Sequence, residues 1–152
     1  MAIIRGVLTQ TGADTFTQAV IDTNLTVDGK SGWQILGFKA TWLLGYTVAA
    51  TDNILSAILS TRVTTVTLPS ETEEIARVSW AVANTAGVAV AYPFEPIKSA
   101  DVLETRITVQ PNLYVSASST TTGLTNVLYY EFTYEPVKLS DLEVMRLLQG
   151  GT

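Results

Sequence analysis

The side chains able to do acid-base or ligating chemistry form a short list: 14 Asp and Glu, 9 Lys and Arg, 6 Tyr, no histidine and no cysteine. Without histidine the commonest general base, the imidazole of a nucleophilic triad and the usual zinc ligand are all missing. Without cysteine there is no disulfide framework and no thiolate metal site. Hydrolytic chemistry would have to run on carboxylates. Glu131 and Glu135 project from one face of one strand, but four residues of strand rise separate them by about 13 Å, outside both glycosidase spacings. They read as solvated residues of an outer face. Asp14, Asp22, Asp28 and Asp52 lie in or near loops, yet their spacing follows no calcium-loop pattern, and hydrogen bonding to the local backbone, as in Asx turns, is their expected role.

The aromatic rings offer a second kind of site, a platform for a sugar. Of the three tryptophans, Trp42 falls in register with Leu36 and Phe38 on an apolar strand face and reads as core. Trp33 stands beside the turn Asp28-Gly29-Lys30-Ser31-Gly32 and is the ring with a route to the surface. With Asp28 and Lys30 it makes the candidate ligand platform. Asn24-Leu25-Thr26 is a glycosylation sequon, read here as a product of a Thr-rich chain. No catalytic residue, cofactor or metal site is expected, and the chain reads as not an enzyme.

The elements that must carry these residues are mostly strands. From Leu128, large apolar residues at Leu128, Tyr130, Phe132 and Tyr134 alternate with Glu131, Thr133 and Glu135, the period of a strand with one buried face. Pro136 cannot donate a ladder hydrogen bond, so pairing is expected to end there or the strand to lie at an edge. Upstream, Ala2 to Thr9, Phe16 to Thr23, Trp33 to Leu44, Ile54 to Val66, Ile75 to Ala83, Val88 to Ile97, Thr105 to Val109 and Leu113 to Ser118 read as strands with turn signals between them. The hydroxyl-rich run from Ser118 to Gly123 reads as an exposed loop. Ser70 and Glu73 have the spacing of a capping box, but a loop followed by a strand is the better reading of that segment.

One helix is expected, over 139–150. Ser140 and Glu143 form a capping box and Gly150-Gly151 is the stop. Leu142, Val144, Met145, Leu147 and Leu148 cover well over half of its circumference, leaving Glu143 and Arg146 as a narrow polar stripe. One sandwich edge cannot cover all of that. Either the helix caps an open end of the core, or Leu142, Met145 and Leu148 pack on one surface while Val144 and Leu147 meet another, such as a second subunit.

At 152 residues, 1–152 is read as a single domain, long enough to bury roughly 70% of its unfolded surface. Charge is sparse, 15% against a usual value of about 25%, so the surface is polar but largely uncharged, as expected where neighbours cover much of it. The net charge of −5 and the scattered basic residues argue against a protein that grips a phosphate backbone. No apolar run approaches the roughly 20 residues that cross a bilayer, and no signal peptide is recognised. The fold class expected is all-β, an antiparallel β-sandwich of about eight strands with a short C-terminal α-helix. A recurring motif and a βαβ alternation are both missing, so neither a propeller nor a parallel sheet is supported.

In this pattern the chain resembles the single jelly-roll coat proteins of small icosahedral viruses, with proline-marked strand ends, Thr/Ser/Ala-rich loops and few charges. The resemblance covers nearly the whole chain. It is carried most by TQAVIDTN...GKSGWQILGFKATW and TGLTNVLYYEFTYEPVKLSDLE, which look like phage-type structural proteins. It implies a self-assembling capsid subunit, made in the host cytoplasm and residing in the virion, with copies of itself and other virion proteins as partners. Many RNA-packaging coat proteins carry a basic N-terminal arm, whereas Met1 to Gly12 holds only Arg5. Another component, or an internal virion membrane in contact with the shell, would then manage the genome. The alternative is a ligand-binding sandwich, such as a carbohydrate-binding module or a virion decoration or spike protein, using the platform at Trp33.

Overall fold

The structure, a computed structural model, describes residues 1–12, 15–26, 30–43, 53–61, 74–85, 88–90, 98–100, 106–119 and 127–148. Its strands are β1 (Ala2–Gly12), β2 (Thr15–Phe16), β3 (Ala19–Asp22), β4 (Ser31–Leu43), β5 (Asn53–Ser60), β6 (Glu74–Thr85), β7 (Val88–Val90), β8 (Lys98–Ala100), β9 (Ile107–Thr108), β10 (Asn112–Ser119) and β11 (Val127–Lys138), followed by the helix α1 (Asp141–Leu148). They form two antiparallel sheets. One has the order β2-β1-β11-β4-β8, with β9 also on β4; the other has the order β3-β10-β5-β6-β7. The architecture is an all-β sandwich.

Pairing is nested along the chain. β1 pairs with β11, β3 with β10, β4 with β8 and β9, and β5 with β6, so successive pairs lie inside one another like turns of a single folded ribbon. The contacts of β11 with β4 and of β10 with β5 then join neighbouring pairs into sheets. The core between the sheets is built from alternate strand positions. Leu8, Ile35, Phe38, Leu59, Leu113, Val115, Leu128 and Phe132 are almost wholly buried, with Ala57, Ala76 and Val78 among them. Gly6 sits opposite Tyr130, and a Cβ at Gly6 would fall on the Tyr130 ring. The ring occupies the space that the glycine leaves. Burial raises the pKa of the Tyr130 phenol.

The expected strand over Phe16 to Thr23 is two strands, because the chain changes sheets within it. β2 lies on β1, and β3 lies on β10 of the other sheet. Between them, the Thr17 amide donates to the Thr9 carbonyl at 3.1 Å, and the Gln18 side chain donates to the Ser116 hydroxyl at 2.7 Å, one bond to each sheet. Pro136 does not end pairing. β11 stays paired with β4 as far as Lys138, while its pairing with β1 stops at Ala2 and Tyr134, so the proline lies where one side of the strand has become an edge. The strand β8 was not anticipated. The capping-box spacing at Ser70 and Glu73 and the loop over 120–123 lie outside the described residues, while Ser118 and Ser119 belong to β10.

A second departure concerns β4. Opposite Thr133 and Tyr134 of β11, its partners step from Gly37 to Ile35 and skip Leu36. One extra residue in a strand exchanges its two faces. Trp33 and Ile35 on one side of the bulge and Phe38 and Ala40 on the other therefore all point into the core, while Leu36 turns outward.

Candidate functional site

Trp33 is not a surface platform. It is 9% exposed and stacks on Tyr134 with ring centroids 3.8 Å apart and an interplanar angle of 18°. The bulge at Leu36 is the cause, since uninterrupted alternation would have set Trp33 opposite Phe38. Lys30 is exposed, adopts a φ of 47°, and its ammonium pairs with Asp141 at 3.1 Å. Asp28 lies outside the described residues, as do Asp14 and Asp52 and the side chains of Trp42 and Trp80. Asp22 does make an Asx turn. Its Oδ1 accepts from the Asn24 amide at 2.8 Å, and Asn24, the sequon residue, is exposed with a φ of 55°. Glu131 accepts from Arg5 at 2.6 Å, and Glu135 is exposed. Among the described residues no three Asp or Glu converge where they could hold a metal ion. No helix there is long and apolar enough to cross a membrane.

The C-terminal helix is held by its own sequence and by a small apolar seat. The Ser140 amide donates to Glu143 Oε2 at 2.7 Å and the Glu143 amide donates to Ser140 Oγ at 3.3 Å, which is the capping box in full. The Ser140 amide bond to the carboxylate, the Ser140 hydroxyl, which donates to Oε2 at 2.8 Å, and the nearby Arg146 hold the Glu143 carboxyl below its usual pKa. Arg146 in the last turn and Asp141 and Glu143 in the first all complement the helix dipole. The chain is pinned just before α1, where the Leu139 amide donates to the Lys30 carbonyl at 2.8 Å. Val144 packs with Leu139 and Val109, flanked by Ile107, Val137 and Leu147. Gly32 lies under this seat: a Cβ there would stand 3.0 Å from Leu139 Cδ1, from Ile107 Cγ2 and from the Thr108 carbonyl.

This seat uses one side of the helix. Val144 and Leu147 face the chain itself, whereas Leu142, Met145 and Leu148 are 60%, 56% and 42% exposed. These three, spaced i, i+3, i+6, form one stripe that no described residue covers.

A second exposed feature lies on the outer face of β1, β11 and β4, which sequence reasoning did not single out apart from Glu131. Register sets Arg5, Glu131 and Lys39 in one row across the three strands, and Val7, Tyr129 and Thr41 in the next. Together they line an open depression of 530 Å³. Its walls come from strands far apart in sequence, so no local motif reveals it. A signal was available in β1, whose odd positions Ile3 and Val7 are apolar although Ile4 and Leu8 already serve the core.

No protein family and no curated protein matches the sequence.

Proposed function

We propose that the chain is a non-enzymatic structural protein, a self-assembling capsid subunit of an icosahedral virion with a single jelly-roll fold. The nested strand pairs support the jelly roll. Taking β8 and β9 as one position, the eight strands β1, β3, β4, β5, β6, β8/β9, β10 and β11 pair first with last, second with seventh, third with sixth and fourth with fifth. With β2 and β7 as additions at the sheet edges, pairs nested in this way support the winding of two Greek keys in a double-sheet roll. A fold does not specify a function. The observation that carries the assembly reading is the Leu142, Met145 and Leu148 stripe, apolar and uncovered on a helix whose other side is already seated. The partners proposed are copies of the chain itself and other virion proteins, with no strong direct grip on nucleic acid. The location proposed is the virion, after synthesis in the host cytoplasm.

Light scattering over a concentration series, on the full chain and on a variant ending at Leu139, tests this reading. A large discrete assembly that reverts to smaller species on truncation is the expected outcome. A full-length chain that stays monomeric at every concentration overturns it. The ligand-binding alternative has lost its ring, because Trp33 is stacked in the core. A change in tryptophan fluorescence on glycan titration would restore that alternative.

A further inference from the structure

The side chains buried between the sheets and those buried under α1 form two clusters with no residue in common. The second is small. Val109, Leu139 and Val144 are its buried members, with Ile107, Val137 and Leu147 around them, and within α1 only Val144 is buried. What else ties the helix to the sandwich among the described residues is slight. The Leu139 amide donates to the Lys30 carbonyl at 2.8 Å, one step beyond the last β11–β4 pair, Lys138 with Ser31. The Lys30–Asp141 ion pair is exposed at both ends, a setting in which such pairs add little. The Ser140–Glu143 box is internal to the C-terminal segment, so it supports the helix without fastening it to the sheets.

We propose that residues 139–148 form a latch that opens as one unit, about the junction of β11 with α1, while the sandwich stays folded. Opening bares an apolar seat made by Ile107, Val109 and Val137, which the closed latch covers. Eight residues of helix are marginal in water without packing, so undocking and unwinding are one event. A unit with one buried helix side chain opens far more readily than a core ladder, because the free energy of opening follows the apolar contacts given up. Leu139 closes the latch tightly: a Cβ on Gly32 would stand 3.0 Å from its Cδ1, so the strand beneath leaves no room for a larger residue. The inference concerns a single chain and holds whether or not copies assemble.

Amide hydrogen exchange of the full chain, followed by NMR, tests this. The Leu139 amide and the Val144 amide, which donates to the Ser140 carbonyl at 3.1 Å, are expected to exchange in step. Both should be slowed only roughly ten- to a hundredfold, the scale set by one buried valine. Amides of the β4–β11 ladder around Phe38 and Phe132 should be slowed roughly five thousandfold or more, the level of global unfolding. Val144→Ala separates a latch from a fraying helix end, because alanine strengthens the helix itself while weakening its seat. It is expected to speed exchange at least about fivefold both at Leu139 and at position 144, and to leave the ladder unchanged. Leu142→Ala, on the exposed side of the helix, is expected to leave the Leu139 amide as it was. Leu139 and Val144 amides that exchange only at the rate of the ladder overturn the proposal, and so does a Val144→Ala variant in which Leu139 keeps its protection. A Val144→Ala chain whose ladder opens along with the helix overturns it as well.

Discussion

The outer faces of two strand pairs, β5 with β10 and β1 with β11, are treated in opposite ways. On β5 and β10 of the five-stranded sheet, Ala57, Leu59, Val115 and Ala117 belong to the core, so alternation sends Ser56, Ile58, Ser60 and Ser116 to the far side. That far side is nevertheless buried, with Ile58 at 2% exposure. On β1 and β11 of the six-stranded sheet the outward residues include Ile3, Val7 and Tyr129 beside Arg5 and Glu131, and Val7 is 51% exposed. Small hydroxyls are thus shielded while larger apolar side chains stand in water. A chain that folds only for itself has reason to do the reverse, because burial is worth about 25 cal/mol for each Å² of apolar surface and hydroxyl burial must be offset by hydrogen bonds. Here the hydroxyls are satisfied: Ser56 and Ser79 bond at 2.9 Å, and Ser116 accepts from Gln18 at 2.7 Å. The apolar surface on β1 and β11 stays open.

The largest effect that would test this contrast is on the shielded side. Ile58→Ala removes a side chain buried on the face away from the core, and we expect it to destabilise the fold by about 2–4 kcal/mol, as in core truncations. Chemical denaturation measures it. A loss within about 0.5 kcal/mol, the level of an ordinary surface change, would mean that the two outer faces are equivalent.

Much of this was legible along the chain and some of it was not, for reasons that differ residue by residue. The alternation of Leu128, Tyr130 and Phe132 and the Ser140–Glu143 box depend on neighbours within a few residues, and both read correctly. Trp33 was misread because a bulge belongs to a pair of strands. The step at Leu36 exists only against Thr133 and Tyr134, almost a hundred residues away in the chain. The division of Phe16 to Thr23 between two sheets is likewise decided by β1 and β10. The helix half of the candidate site was visible as five apolar residues around one short helix. Which of them the chain would cover depended on Val109 and Ile107, which nothing in the helix sequence encodes.

A smaller effect concerns the cap that holds the stripe in place. Ser140→Ala leaves the Glu143 amide without its side-chain acceptor, and a loss of about 1 kcal/mol is expected. The pH dependence follows from the other half of the box. The Glu143 carboxyl has a lowered pKa in the folded chain, so its contribution to α1 is fully present above the usual glutamate range and is lost as pH falls through that range to the lowered value. The Ser140 amide resonance should shift over that acid window and hold steady above it. Glu143→Gln keeps an acceptor and should flatten the titration. A Ser140 resonance that moves near neutral pH instead would show that another group controls the cap.

The smallest change in stability belongs to the open face, and it sharpens the contrast most. Val7→Thr keeps a β-branched side chain of similar shape on β1, so strand preference and local packing barely alter. Because Val7 stands half in water, unfolding free energy should change by no more than about 0.5 kcal/mol. Where a second subunit covers this face, association suffers, because a hydroxyl would then enter an apolar contact without a partner, at a cost of about 1–3 kcal/mol, or roughly five- to more than a hundredfold in the concentration needed to assemble. Denaturation and light scattering on the same sample therefore give two numbers that must diverge. If they move together, Val7 serves the fold of its own chain. If only association moves, the apolar surface of the six-stranded sheet is there for the next subunit.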